Sequence, residues 1–458
     1  MGAQEIETDV VVLGMGIGGE AVAGSLAGRG LDVVGIESEL VGGECPYWGC
    51  LPSKMIVRAA TLLTEARRVD GVAGTATVEP DFTPVAERIR DEATAGWDDT
   101  IAVDRFTDQG GTFVRGEGRL DGPGRVTVGN ITYVARRGVV VASGTTAYVP
   151  PIEGIDEVDH WTNREAVSAK ELPGSLITLG GGAIGLELSQ AFGRFGTEVT
   201  VVEAADRILP REEPEASAAL TEVLESEGVG VITGVAATGV RRDGEEVVVT
   251  LADGRELRAE RLLVAVGRQA RLEGIGLETV GITPSEHRFL PTDDALQVRE
   301  GLWGVGDVTG RGAFTHVAAH QAKIVVAAIL GEDEEVGRRV DAALPAVTFT
   351  DPEVGSVGLT EADAREAGLD VAVATQNVPW SARGWLHGPG NEGVIKLVAD
   401  TERQVLVGAS SVGPHGGEVL GLLALAVHAE VPIDTLRSMI YAYPTFHRGI
   451  EDALDNLA

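Results

Sequence analysis

Two stretches of the chain share one rhythm of apolar and polar positions. Residues 9–37, "DVVVLGMGIGGEAVAGSLAGRGLDVVGIE", align without a gap on residues 175–203, "SLITLGGGAIGLELSQAFGRFGTEVTVVE". Each opens on a short, unbroken apolar run, the pattern of a strand buried on both faces. A glycine-rich turn follows, then an Ala/Leu-rich helix, then a second apolar run ending in glutamate. The pattern predicts a β-α-β unit present twice, and so an α/β chain with two Rossmann-like dinucleotide-binding domains.

The turns read G-x-G-x-x-G, with Gly14, Gly16 and Gly19 in the first copy and Gly180, Gly182 and Gly185 in the second. Glycine there permits the sharp turn, lets backbone N–H groups reach a pyrophosphate and brings helix against strand, while the helix N-terminus favours an anion. A packing turn is the bland alternative, but strand, helix, second strand and terminal acid coincide in both copies. Glu37 and Glu203 are placed to accept hydrogen bonds from a ribose 2′-hydroxyl, and a carboxylate there repels a 2′-phosphate. The second site is therefore expected to prefer NADH over NADPH. Two dinucleotide sites in one chain suggest one resident and one exchanging dinucleotide, with flavin (FAD) and nicotinamide (NADH) the usual pairing.

Composition adds exclusions. A chain of 458 residues has room for two or more domains whose cores need no disulfide staples. The formal net charge of -33 repels a phosphate backbone, and no basic stretch is dense enough to offset it, which argues against nucleic acid. The first residues, "MGAQEIETDVVVLG", lack a basic segment followed by a long apolar core, and Ile6 breaks a myristoylation pattern. The run "LLALAVHAEV" is too short and interrupted to span a membrane. A cytoplasmic protein is the expectation, and in that compartment a lone cysteine pair is more often reactive or metal-binding than structural.

That pair is Cys45 and Cys50, in "VGGECPYWGCLPSK". Five residues apart on a regular helix, their Cα atoms would lie about 8.7 Å apart, beyond the roughly 7 Å that a disulfide tolerates. They can bond only where the backbone leaves the helix, and Pro46 and Gly49 suit a distorted first turn. Closing so short a loop stabilises a fold by only about 2 kcal/mol, which makes a purely structural staple a poor reading. Two cysteines without a nearby histidine fall short of a structural zinc set. On the residues alone, redox exchange, metal binding and inert packing all stay open.

The stretch "GGECPYWGCLPSK" resembles the G-G-x-C-x-x-x-x-G-C-x-P-S-K signature of the class I pyridine nucleotide-disulfide oxidoreductases, a family that includes dihydrolipoamide dehydrogenase and the glutathione, mycothione and mercuric reductases. Other segments are similar too. "LWGVGDVTG" resembles the second flavin motif, with Gly306 and with Asp307 on the ribityl chain. "VVVASGT" resembles the stretch closing the first flavin segment, with Ser143 for the usual Thr before Gly144. "LLVAVGR" resembles the return from the nicotinamide domain at Gly267, and "PAVTFTDPEVGSVGLTE" the start of a dimer-interface domain. The resemblance implies a flavin domain over 1–150 and 269–338, a nicotinamide domain over 151–268, and a C-terminal α+β domain over 339–458 that makes a homodimer.

It also implies a relay. NADH passes hydride to flavin, which reduces a Cys45–Cys50 disulfide; Cys50 is the thiolate facing the ring, and Cys45 is the thiol that exchanges with an external disulfide. Lys54 and Glu187 match the ion pair beside the flavin, and His316 in "FTHVAAH" matches a helix start near the ring, with Gly43 in the cofactor loop. His320, one turn after His316, is read as packing rather than as half of a metal site.

The C-terminus departs from the pattern. Where the family carries H-P-T-x-x-E, this chain reads "YPTFHR", so that Tyr443 stands in the place of the catalytic His and Arg448 in that of the Glu. A phenol titrates near pH 10 and is a poor base at neutrality. His447 and Glu451, each one helical turn further on, form either a relocated pair or one face of a surface helix. "VPWSARGWLHGPGNEG" places Trp380, Arg383, Trp385 and His387 in a Gly/Pro loop suited either to substrate or partner contact or to packing on its own chain. The expected activity is FAD-dependent, NADH-linked oxidoreduction through Cys45 and Cys50 on a small-molecule disulfide or dithiol. Direct reduction of a quinone or metal ion by the flavin, and a redox-sensing role, are the alternatives.

Overall fold

The computed structural model describes residues 4–332 and 343–457. Compactness divides them into two units, one built from residues within 1–52, 87–148 and 268–338, the other from 53–86, 149–267 and 339–458. Residues 53–86 thus group with the second unit rather than with the segments before and after them, and the junction expected at 338/339 lies outside the described residues.

The first unit is built on a sheet in the order Gln297–Arg299, Leu302–Gly304, Ile131–Val141, Gln4–Leu13, Val33–Glu37, Thr112–Arg115. Strands Gln4–Leu13 and Val33–Glu37 pair in parallel through the crossover helix Ile17–Gly28. Side chains alternate along a strand, and both faces of the central strand are covered, which is why its apolar run is continuous. Val10 and Val12 pack with Val22 and Leu26 of that helix and with Val325, Val326 and Ile329 of helix Thr315–Leu330. Val11 and Leu13 pack on the opposite face with Leu120, Val126 and Leu277.

The second unit repeats the motif. Strands Gly230–Ile232, Glu198–Val202, Ser175–Leu179 and Arg261–Val264 form a parallel sheet, with helix Ala183–Arg194 as the crossover. Further on, five antiparallel strands run in the order Pro345–Thr348, Glu353–Gly358, Val405–Gly413, Val394–Asp400, Val371–Asn377. Val405–Gly413 and Val394–Asp400 are buried along their whole length. Helices Gly416–His428, Ile433–Ser438 and Gly449–Asp455 contribute Leu420, Leu423, Leu436, Ile450 and Leu454 to the core over this sheet. Among the described residues no helix is long and apolar enough to cross a membrane.

Candidate active site

The repeat seen in sequence is reproduced bond by bond. In the first turn the Gly14 N–H donates to Ile36 O, the Met15 N–H to Glu37 Oε2 at 2.8 Å and the Glu39 N–H to Glu37 Oε1 at 2.8 Å. In the second, the Gly180 N–H donates to Val202 O, the Gly181 N–H to Glu203 Oε2 at 2.6 Å and the Ala205 N–H to Glu203 Oε1 at 2.8 Å. Each terminal carboxylate therefore pins its own glycine turn. An ionised carboxylate has about four acceptor positions, so capacity is left for a ribose diol.

The glycines divide by what a Cβ would meet. Gly14 (φ +99°) and Gly180 (φ +107°) hold left-handed backbone, and a Cβ would overlap the carbonyl oxygens of Ala142 and Ala265. At Gly19 and Gly185 it would overlap the carbonyls of Gly14 and Gly180. These four are demanded by packing. At Gly182 it would meet nothing within 4 Å, and at Gly16 only the Gly43 Cα at 4.0 Å. Folding does not demand glycine at those two, and each leaves an open cradle at a helix N-terminus, the arrangement a pyrophosphate needs. Gly144 and Gly267 are likewise open on that side.

Beside the first cradle lies the cysteine loop. Gly42 bridges Gly16 in parallel, and a Cβ at Gly43 (φ +68°) would press on the Gly16 Cα at 2.9 Å. The Val41 N–H donates to Asp99 Oδ2 at 2.7 Å, and Asp99 also pairs with Arg115. The chain then runs as helix Glu44–Trp48, breaks at Gly49 (φ -129°, ψ -115°) and restarts as helix Cys50–Arg67. A side chain at Gly49 would crowd Glu44 O at 3.1 Å and Cys45 Cα at 3.4 Å. The break brings the two sulfurs into hydrogen-bond contact as free thiols. That contact first, and burial second, push the Cys45 thiol up, while a hydrogen bond from Thr315 opposes them.

Asp307 follows Gly306 (φ +82°) and accepts from Thr145 Oγ1 at 3.0 Å; burial pushes its carboxyl up, against that bond. The Gly306 N–H is held by Gln321 Oε1 at 2.7 Å. Ser143 donates to Arg271 O at 2.8 Å, so the serine keeps a hydroxyl bond at the usual threonine position. His316 stacks on Phe314, ring centroids 5.2 Å apart, in the first turn of helix Thr315–Leu330.

In the second unit Lys54 Nζ lies 2.6 Å from Glu187 Oε2. The other carboxylate oxygen of Glu187 accepts the Phe349 N–H at 2.8 Å, and Lys54 also sits over the Phe349 ring at 4.7 Å. The Glu187 side chain is 5% exposed, so the ammonium has a buried, two-point-anchored counter-ion.

The C-terminal segment is not the continuous helix that one-turn spacings from Tyr443 to His447 and Glu451 would need. Residues 441–445 are irregular, Phe446–Arg448 is a 3-10 turn and Gly449–Asp455 the helix. Tyr443 is 70% exposed with Arg448 stacked on its ring at 5.6 Å. Arg448 also pairs with Glu451 at 2.5 Å, while His447 Nε2 lies 3.4 Å from Thr445 Oγ1. Buried Tyr441 donates to Leu436 O, and burial, with the Glu451 charge, pushes its phenol up to about 12. The segment expected as a loop forms the 3-10 turn Val378–Trp380 and the helix Ala382–His387, capped by Ser381 Oγ accepting the Gly384 N–H. Arg383 and His387 both pack on Phe446, leaving Trp380 and Trp385 exposed.

Residues 8–322 match the family described as pyridine nucleotide-disulphide oxidoreductase, and residues 344–454 match the dimerisation domain of the same family. The chain belongs to the pyridine nucleotide-disulphide oxidoreductases. It is an FAD-dependent oxidoreductase of the pyridine nucleotides, with the class I fold. Among similar proteins, a dihydrolipoyl dehydrogenase of Thermus scotoductus is 33% identical over 98% of this chain and 97% of its own length. A mercuric reductase of Streptomyces lividans is 34% identical over 97% of this chain and 94% of its own. The Cu(II) complex of the HOCl-induced flavoprotein disulfide reductase RclA from Escherichia coli superposes with a TM-score of 0.87 at 26% identity, covering 99% of this chain and 100% of that one.

Sequence reasoning missed several partners of the residues it named: Thr315 against the sulfurs and Asp99 under the cysteine loop in the first unit, and the Phe349 backbone on Glu187 in the second. Each meets its partner across a long interval of chain, and only Asp99 had a local hint, as an acid preceding a helix.

Proposed function

We propose that the protein is an NADH-linked oxidoreductase that exchanges electrons with a small-molecule disulfide or dithiol through Cys45 and Cys50. The observation that carries the proposal is the contact of the two thiols across the Gly49 break. A backbone interruption at Gly49 has brought the chain's two cysteine sulfurs together. The open sides of Gly16 and Gly144 support FAD at the first turn, with Gly14, Gly19, Glu37, Gly43, Gly306, Asp307 and His316 beside it. Those of Gly182 and Gly267 support NADH at the second, with Gly180, Gly185 and Glu203. When bound, FAD supplies two-electron transfer between nicotinamide and sulfur.

The chain's own residues supply the rest. Glu203 accepts the ribose hydroxyls and repels a 2′-phosphate, which makes NADH preferred over NADPH. Glu187 holds the Lys54 ammonium in place as a fixed positive charge, which would favour negative charge on a group brought beside it. Cys45 gives its proton to water and attacks a disulfide as thiolate, forming a mixed disulfide while the displaced sulfur leaves as a thiolate. The match of 344–454 to the dimerisation domain supports a homodimer. So do Trp380, Trp385, Ile440 and Tyr443, large apolar side chains left 70–96% exposed in that region of one chain.

A second reading, in which a quinone or metal ion takes electrons directly from the flavin, is favoured by one observation: Tyr443 and Arg448 stack on each other where a His-Glu base would stand, and Glu451 is taken by Arg448. Steady-state NADH oxidation with a cyclic disulfide and with a benzoquinone, on wild type and Cys45→Ser, separates the two. The thiol route requires that the variant lose disulfide turnover and keep quinone turnover. Disulfide turnover that survives in Cys45→Ser would remove it.

A further inference from the structure

Thr315 is the first residue of a 16-residue helix, after Phe314 at the N-cap. Its hydroxyl lies 3.3 Å from Cys50 Sγ and also hydrogen-bonds Cys45. One hydroxyl thus meets both sulfurs, which meet each other. When two electrons from NADH and one proton cleave a Cys45–Cys50 disulfide, the S–S bond is replaced by one S–H and one thiolate. A thiolate accepts hydrogen bonds and cannot donate, and a hydroxyl has a single proton to give. The sulfur that receives both the neighbouring S–H and the Thr315 O–H keeps the negative charge, because bonds to an ionised acceptor are about twice as strong as neutral ones. Cys50 has the resolved short contact to the hydroxyl, and the N-terminal end of a helix favours an anion beside its first residue.

We propose that Thr315 is a positioning residue that holds the negative charge on Cys50 and leaves the proton on Cys45. Resting on the thiol relay above, this assigns the division of labour between the two sulfurs to a third side chain.

The test uses the FAD-loaded enzyme as wild type, Thr315→Val and Thr315→Ser, reduced anaerobically with NADH. Two quantities are followed against pH: the long-wavelength thiolate-to-flavin absorbance, and the rate at which each cysteine is alkylated by iodoacetamide, assigned by peptide mass spectrometry. Thr315→Val, which keeps shape and loses the hydroxyl, is expected to raise the pH midpoint of the Cys50 thiolate by about one unit, a tenfold loss of thiolate below the midpoint. Thr315→Ser restores the wild-type midpoint, which a packing role for the side chain would not do. A Val variant with an unshifted midpoint, or a Ser variant that behaves like Val, overturns the proposal while leaving the relay standing. Wild-type enzyme that shows no such absorbance at any pH removes the relay and the proposal with it.

Discussion

Replacing Gly182 by Ala separates the binding role of the second turn from its folding role. Gly182 has φ -89° and ψ 178°, a conformation any residue adopts, and a Cβ there meets nothing within 4 Å. The substitution should therefore leave the protein without nucleotide as stable as before, or more stable by about 0.4–1 kcal/mol, since alanine narrows the unfolded ensemble. The new methyl instead enters the space a pyrophosphate needs to reach the backbone N–H groups. Losing one hydrogen bond to a charged group, about 1.5–3 kcal/mol, weakens binding by about ten- to 150-fold. Gly180→Ala is the control: left-handed backbone costs roughly 1–2 kcal/mol, and the methyl overlaps the carbonyl oxygen of Ala265, a residue whose N–H is tied to Leu179 O. Calorimetric titration with NAD and thermal unfolding without nucleotide read the two effects. Gly182→Ala should lose affinity at an unchanged or higher melting temperature, and Gly180→Ala should lose stability. NAD affinity equal to wild type in Gly182→Ala, or a lower melting temperature in that variant, would refute the division drawn between the glycines.

Lys396 is 3% exposed and lies 3.0 Å from Glu213, 2.9 Å from Glu215 and 3.0 Å from Glu361; Lys396→Met strands the equally buried Glu213 and is expected to cost about 3–5 kcal/mol, read by urea unfolding followed by fluorescence. In Glu187→Gln one amide oxygen must serve two donors, Lys54 and the Phe349 N–H, so the rate of flavin reduction by NADH should fall about tenfold, measured by stopped flow. Because the Cys45 thiol is displaced upward, its attacking thiolate is scarce at neutral pH. Disulfide turnover should therefore rise with pH through and beyond the ordinary thiol range, while quinone turnover stays flat; parallel profiles for both acceptors would contradict the assignment.

What could be read in the sequence was whatever a short window encodes. A β-α-β unit is local: the apolar run, the glycine spacing and the terminal glutamate lie within about thirty residues, and the whole unit recurs as structure. The Gly49 break could be anticipated because the spacing of Cys45 and Cys50 forbids a regular helix between reacting sulfurs. Contacts that close across the chain stayed hidden. Lys396 gathers three carboxylates from two distant segments, and Thr315 reaches the sulfurs from a helix opened far downstream. The spacing of Glu37 and Glu203 points to ribose ligands, but their hydrogen bonds to the turns that precede them depend on how strand and turn fold together. Around Tyr443 helical spacing misled, because the segment ahead of Phe446 is irregular and only Gly449–Asp455 is α-helical.

Anaerobic titration of the purified protein with NADH, before and after alkylation of both cysteines in the reduced state, tests the central claim most directly. If electrons are stored on sulfur as well as on flavin, the untreated enzyme takes up about twice the reductant of the alkylated one, a disulfide and a flavin each being a two-electron couple. Equal uptake by both, or a protein that binds no flavin, would contradict the account.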